Sequence, residues 1–222
     1  PYSWYENHGI RKYGFHGTSH KYVSQRAIDL LGKGAYGTKI ITIHIGNGGS
    51  ITAVKDGKSI DTSMGFTPLA GIMMGTRSGD IDPSILPWIM EKENYSIDNA
   101  IDALNNESGL KGVSGKSSDM RDIVGGIESG DENCLRALKL FAKRICDFIG
   151  SYYILLGGCD CLVFTAGIGE NSEIARQEIL SRLNVLGIII DKEANKVMGE
   201  EKLISTKDSK IKVYVIPTNE EV

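Results

Sequence analysis

The chain has 222 residues, a formal net charge of -3, 41% hydrophobic and 24% charged residues. That balance is ordinary for a globular protein, and the length buries a core without disulfide or metal staples. The lack of basic excess argues against nucleic acid or an anionic membrane as the main partner. No apolar run reaches the roughly 18 residues expected of a membrane-spanning helix.

No signal peptide is recognisable, and the start at Pro1 rather than methionine suggests a fragment. Cys134, Cys146, Cys159 and Cys161 lack the paired C-x2-C spacing of a zinc site. Buried reduced thiols are the better reading, which suits a cytoplasmic protein. On a strand, Cys159 and Cys161 would share a face. Glycine is in excess: 27 occur, where average usage gives roughly 16. They cluster at 46–49, 65–79 and 167–169, as they do where turns are tight or a ligand approaches the backbone.

In chain order, a polar and aromatic opening ends at His16. Thr18 or Ser19 can cap a helix to about Leu31, with Val23, Ala27, Leu30 and Leu31 on one face. Lys39–Ile45 reads as a buried strand, Asn47-Gly48-Gly49 as a turn, and Ser50–Val54 as the return strand. Asp56-Gly57 makes a hairpin turn into a third strand, Lys58–Thr62. Residues 64–82 form a long glycine-rich loop. Asp82-Pro83 reads as a cap with proline at the first position of a helix to about Glu93, and a shorter helix runs from Ile97 to Asn105.

Residues 106–118 read as loop, and Asp119 caps a helix to about Gly125. The longest helix is expected over Glu132–Leu156, with Leu135, Leu138, Ala142, Ile145, Ile149 and Tyr152 inward. An apolar strand, Cys161–Ala166, breaks at Gly167–Asn171 and continues as a helix to about Leu183. Short strands are expected at Ile188–Ile190 and Lys212–Ile216. A β-meander followed by alternating strands and helices predicts a layered α/β or α+β domain.

Five segments can carry chemistry. His44-Ile45-Gly46-Asn47-Gly48 joins two strands, and its free backbone N–H groups can hold phosphate oxygens, although any hairpin can carry Asn-Gly. Gly167-Ile168-Gly169-Glu170-Asn171 ends a strand and opens a helix, where anions are favoured; a plain strand-to-helix turn is the bland alternative. Arg77, in a flexible glycine loop, can swing over a transferring phosphoryl group or serve as an exposed ion-pairing residue. His16, just before a helix, can donate to phosphate or act as an acid, whereas His20 reads as structural. Pro217-Thr218-Asn219-Glu220-Glu221 can place Mg²⁺ or be a solvated acidic end.

GFHGTSHKYV, HIGNGGSI, GKSIDTSMGFTPLAGIMMGTRSGDIDPS, FTAGIGEN and PTNEE, in this order, resemble the acetokinase family over nearly the whole chain. The third run is the most specific. The resemblance implies a ribonuclease H-like α/β fold, of the acetate and sugar kinase, chaperone ATPase and actin superfamily, with a mixed sheet flanked by helices. It implies that residues 1–222 are one domain, the second and nucleotide-binding half of a two-domain kinase. The implied reaction is reversible Mg²⁺- or Mn²⁺-dependent phosphoryl transfer between ATP and acetate, giving ADP and acetyl phosphate. By matching motifs, Arg77 and His16 would stabilise the transferring phosphoryl. His44, Ile45, Gly46, Asn47 and Gly48 would hold nucleotide phosphates. Asp119, Met120, Arg121, Gly167, Ile168, Gly169, Glu170 and Asn171 would surround the adenosine. Phe15 and Pro68 would line the acyl pocket, and Glu220 would help place the metal. A homodimer is also implied.

The family's first domain, with its N-A-G-S-S-S phosphate loop, has no counterpart in these residues. Half an active site is therefore expected, with little or no turnover alone, because phosphoryl transfer depends on positioning and charge neutralisation. Propionate kinase is the alternative in the same class, and a non-catalytic nucleotide-binding or dimerisation module is the alternative in another. A sugar kinase is a distant third.

Overall fold

The strand expected at Lys39–Ile45 forms with those bounds, and its alternation decides the layering. In the computed structural model, which describes residues 1–218, this strand (β1) lies at the centre of a six-stranded sheet. Its neighbours are β2 (Gly49–Lys55), β3 (Lys58–Thr62), β4 (Cys161–Thr165), β5 (Lys202–Leu203) and β6 (Lys212–Val215), in the order β3-β2-β1-β4-β6-β5. The β1–β2–β3 meander is antiparallel, β4 and β6 join it in parallel, and β5 closes the far edge antiparallel to β6.

Successive side chains of a strand point to opposite faces. Ile41, Ile43 and Ile45 therefore share a face, where they join Ile51, Leu162, Phe164 and Val213 in the larger core cluster. The helices over that face are α5 (Gly109–Ser114), α6 (Met120–Glu128), α7 (Glu132–Leu156) and α9 (Glu173–Ser181). On the opposite face Ile40, Val54, Cys161, Val163 and Tyr214 pack against Val23, Ala27 and Ile28 of α2 (Gly17–Leu31). Thr42 and His44 share that second face with Ile40. Ser50 is the register partner of His44, and Thr52 that of Thr42. The α2 side of the sheet is thus apolar at one end and polar where β1 ends.

The remaining helices are α1 (Ser3–His8), α3 (Ile85–Glu93), α4 (Ile97–Asn106) and α8 (Ala166–Asn171), with 3-10 turns at Asn184–Leu186 and Ala194–Lys196. The architecture is the mixed sheet flanked by helices that the sequence leads one to expect.

Several local expectations shift. Helix α2 starts at Gly17, after His16 at φ 60°, and neither Thr18 nor Ser19 caps it; the Ser19 hydroxyl bonds His44 instead. Asp82 accepts from the Ser84 amide at 2.9 Å, so Asp82-Pro83 forms a turn one step ahead of α3. The 106–118 segment is helical at Gly109–Ser114. Leu135 is 37% exposed and Cys134 takes the inward position on α7. Ile188–Ile190 makes only one isolated bridge, Ile190 with Ser205, while α1 and β5 were not expected.

The Gly167–Asn171 segment is itself helical, and the break falls at Ser172, whose hydroxyl accepts from Ala175 N and caps α9. All four cysteines are free. Burial pushes the Cys146 thiol up to about 11 and Cys159 to about 12, which keeps both protonated and unreactive. Cys159 lies ahead of β4, so it shares no strand face with Cys161.

Candidate phosphate and nucleotide site

Strands β1 and β4 are parallel neighbours, and both run into glycine-rich turns at their carboxyl ends, where α/β sheets bind ligands. Gly46 N donates to Gly48 O at 2.9 Å, folding the first turn back on itself. A Cβ on Gly46 would stand 3.8 Å from the Ala166 Cβ and 3.9 Å from Gly167 N. The two turns therefore meet. Beside them opens a cavity of about 860 Å³ whose walls include Gly46, Asn47, Asp119, Met120, Arg121, Gly167, Ile168 and Asn171. Eight of the residues expected around a nucleotide share that one space.

The other expected residues have different places. His44, Ile45 and Gly169 are buried beneath the turns. A Cβ on Gly169 would stand 3.3 Å from Ile45 Cγ1, so this glycine is needed for packing against β1. Glu170 turns away from the cavity. Its Oε1 accepts from the amides of Ala166 at 2.7 Å and Thr218 at 2.9 Å. The helix start that was expected to offer free N–H groups to an anion is partly filled by the protein's own carboxylate. At the opposite wall Asp119 caps α6, accepting from Arg121 N at 2.8 Å and pairing with Arg121 Nη2 at 2.6 Å. The Arg121 hydrogen bonds hold the Asp119 carboxyl down at about 2.

The glycine-rich loop that carries Arg77 is pinned, contrary to the expectation of a swinging arm. Ile72, Met73 and Met74 belong to the core. Met74 N donates to Arg77 O at 3.0 Å, Gly75 N to Asn47 O at 3.0 Å and Ser78 N to Leu104 O at 2.9 Å. A Cβ on Gly75 would collide with Asn47, which explains glycine at that position.

The fixed loop holds Arg77 over the first turn. Its Nη1 donates to Pro68 O at 3.3 Å, and it would lie 3.2 Å from a Cβ on Gly48. His16 Nε2 would lie 3.7 Å from the same Cβ. Arg77, His16, Gly48 and Pro68 are thus brought together. Phe15 borders a separate hollow of about 440 Å³ with Tyr13, Lys21 and Thr62. Glu220 lies outside the described residues.

Three imidazoles gather behind this point. His16 stacks on His44 with ring centroids 4.0 Å apart, and His20 lies 5.9 Å from His44 and 6.4 Å from His16. Burial, then the neighbouring rings, push His20 down to about 3 and His44 down to about 4, so both are neutral near pH 7. Ser19 accepts from the Thr218 hydroxyl at 3.2 Å and bonds His44 Nδ1 at 2.8 Å.

Below Gly169, the fully buried Arg176 donates to Gly169 O at 2.8 Å, Asn195 Oδ1 at 2.9 Å and Val197 O at 2.8 Å. Burial lowers it to about 10, which leaves it charged. Sequence reading missed Ser19, Thr42, Ser50 and Arg176. Alternation along β1 could have placed Thr42 beside His44; nothing local marks Arg176.

Two glycine turns meet on neighbouring strand ends of this α/β domain, with an arginine and a histidine above one of them. The relatives make the class narrower. The acetokinase family model matches residues 1–222, and the chain belongs to that family. It is 56% identical over 222 residues to acetate kinase of Clostridium novyi and 59% identical to acetate kinase of Thermoanaerobacterium thermosaccharolyticum. All of this chain aligns, with 55% and 56% of those relatives respectively. Among solved structures, acetate kinase of Porphyromonas gingivalis superposes with a TM-score of 0.96 at 46% identity, over 100% of this chain and 56% of that one. A propionate kinase of Francisella tularensis gives 0.93 at 47% identity with the same coverage. The chain therefore spans about half the length of the relatives it matches.

Proposed function

We propose that this chain is the nucleotide-binding half of an enzyme that transfers a phosphoryl group between ATP and a short carboxylic acid, acetate by preference. The observation that carries this reading is the convergence of Arg77 and His16 over the Gly46–Gly48 turn, next to the cavity between that turn and Asp119-Met120-Arg121. The adenosine would occupy the cavity against Ile168 and Met120, with the phosphates running towards Gly48. Arg77 would neutralise charge on the transferring phosphoryl, a contribution worth about 10³-fold or more in rate.

Mg²⁺ takes few protein ligands and keeps several waters. Glu220 remains the proposed protein ligand, and bound Mg²⁺ would supply charge neutralisation between phosphate oxygens. Among the described residues no group of three or more His, Cys, Asp or Glu side chains could hold a metal ion. Pro68, fixed under Arg77, would bound the acyl group, with Phe15, next in sequence to His16, approaching from the neighbouring hollow, and propionate is the competing substrate. The remaining half of the cleft, a homodimer and a cytoplasmic location complete the reading for the full-length protein. Among the described residues no helix is long and apolar enough to cross a membrane.

The test is a coupled assay with Mg·ADP and acetyl phosphate or propionyl phosphate. The full-length protein is expected to form ATP faster from acetyl phosphate. This chain alone is expected to turn over slowly or not at all, and a full-length rate from it would contradict the division of the site.

A further inference from the structure

The polar network behind His16 has a proton-counting constraint. Ser50 Oγ lies 2.9 Å from His16 Nδ1 and 2.7 Å from His20 Nε2. His20 Nδ1 lies 2.7 Å from Thr42 Oγ1. Thr42, Ser50 and His20 are buried, so each of these short contacts needs one donor and one acceptor. A serine hydroxyl has one hydrogen. If it points to His20 Nε2, His20 carries its proton on Nδ1 and His16 Nδ1–H must donate to Ser50. If it points to His16 Nδ1, His20 Nε2–H donates to Ser50 and the neutral His16 carries its proton on Nε2. A third arrangement, in which Ser50 accepts from both rings, would leave its own buried hydrogen with no acceptor among the described residues; in both arrangements that use this hydrogen the two rings have the same tautomer.

We propose that Ser50 is a positioning residue that couples the tautomer of His16 to that of the buried His20, so that Thr42 and His20 set which face of the His16 ring donates at the phosphate site. The Thr52 carbonyl, 3.4 Å from Thr42 Oγ1, can only accept. It gives the Thr42 hydrogen a destination when His20 donates from Nδ1, so the Nδ1–H sense satisfies one more contact than the other. In that sense a proton arriving at His16 Nε2 leaves the Ser50 bond intact. The neutral ring is then an acceptor at Nε2, and it becomes a donor there without rearrangement once an anion draws a proton in. Suppression of charge on His20 by burial keeps the relay neutral. The functional meaning rests on the phosphoryl-transfer reading; the coupling itself does not.

The experiment is ¹⁵N NMR of the ring nitrogens in this chain without nucleotide, above neutral pH, so that failure of the kinase reading cannot affect it. His16 and His20 are expected to show the same tautomer, Nδ1–H in both. Opposite tautomers in the two rings would overturn the proposal. In Ser50→Ala the His16 spectrum is expected to change and its titration midpoint to move by at least half a pH unit, with Ser50→Thr restoring both. An unchanged His16 in Ser50→Ala would also overturn it. Should Ser50→Ala not fold, Thr42→Val removes the far end of the relay. His20 would then lose its partner at Nδ1 and move to Nε2–H, and His16 is expected to follow. A His16 ring that ignores that shift contradicts the coupling.

Discussion

At the residue scale, the neutral histidines make stability depend on pH in a defined direction. The folded values of His20 and His44, about 3 and about 4, lie below the ordinary value of 6.5. Between these limits the unfolded chain binds more protons, so stability is complete above pH 6.5 and falls as pH drops towards 4. Each ring should cost about 2 kcal/mol between pH 7 and pH 5, since one unit is about 1.36 kcal/mol. Urea titrations at the two pH values should show a loss of a few kcal/mol, reduced in His20→Gln. A flat profile would mean the rings are not held neutral.

Arg77 gives a second residue-scale expectation. Because its loop is pinned, Arg77→Ala should leave the fold intact. In the full-length protein it should lower kcat by about 10³-fold or more, with a smaller effect on nucleotide affinity. Loss of binding with unchanged kcat would place Arg77 in ground-state recognition instead.

At the element scale, the two glycines of α8 are not equivalent. Gly167 lines the cavity and a Cβ there would meet nothing within 4 Å, whereas one on Gly169 would press on Ile45. Gly167→Leu should weaken Mg·ADP binding at least tenfold while the unfolding midpoint changes little. Gly169→Leu should lower stability first. Ala166 joins β4 to α8 at φ +65°, a strained conformation for a residue with a Cβ; His16 enters α2 at φ 60°. Both strained entries border the site. Arg176 holds the loop from beneath, and Arg176→Met would leave the Gly169, Asn195 and Val197 carbonyls without their donor. A loss of about 3–5 kcal/mol in unfolding free energy is expected, measurable by denaturant titration.

Elements were legible in proportion to how local their cause is. The Lys39–Ile45 strand, the Asp56-Gly57 hairpin and the Glu132–Leu156 helix follow from alternation, turn chemistry and a 3.6-residue period, and they appear as expected. The Gly109–Ser114 helix was missed because its Ser- and Gly-rich sequence has weak helical propensity. Contacts supply the reason it forms: Leu110 N donates to Met74 O and Lys111 N to Gly75 O. The chain course around Arg77 and the buried Arg176 have the same kind of cause, distant backbone partners that no local pattern records. The site's glycine turns were visible, while Glu170's use as an internal cap was not, because its partners lie 4 and 48 residues away.

At the scale of the whole molecule, the family model matches the full chain, while the chain covers 55–56% of its curated relatives. The cavity, the two glycine turns and Arg77 all lie within that portion, which forms one continuous sheet with a helical layer on each face. In the proposed reading this portion binds nucleotide through its own residues, and chemistry requires more. Calorimetric titration of the folded chain with Mg·ADP tests it most directly. Saturable one-to-one binding, weakened by Gly167→Leu, is the predicted result. No heat of binding at millimolar ADP, from protein shown to be folded, would contradict it.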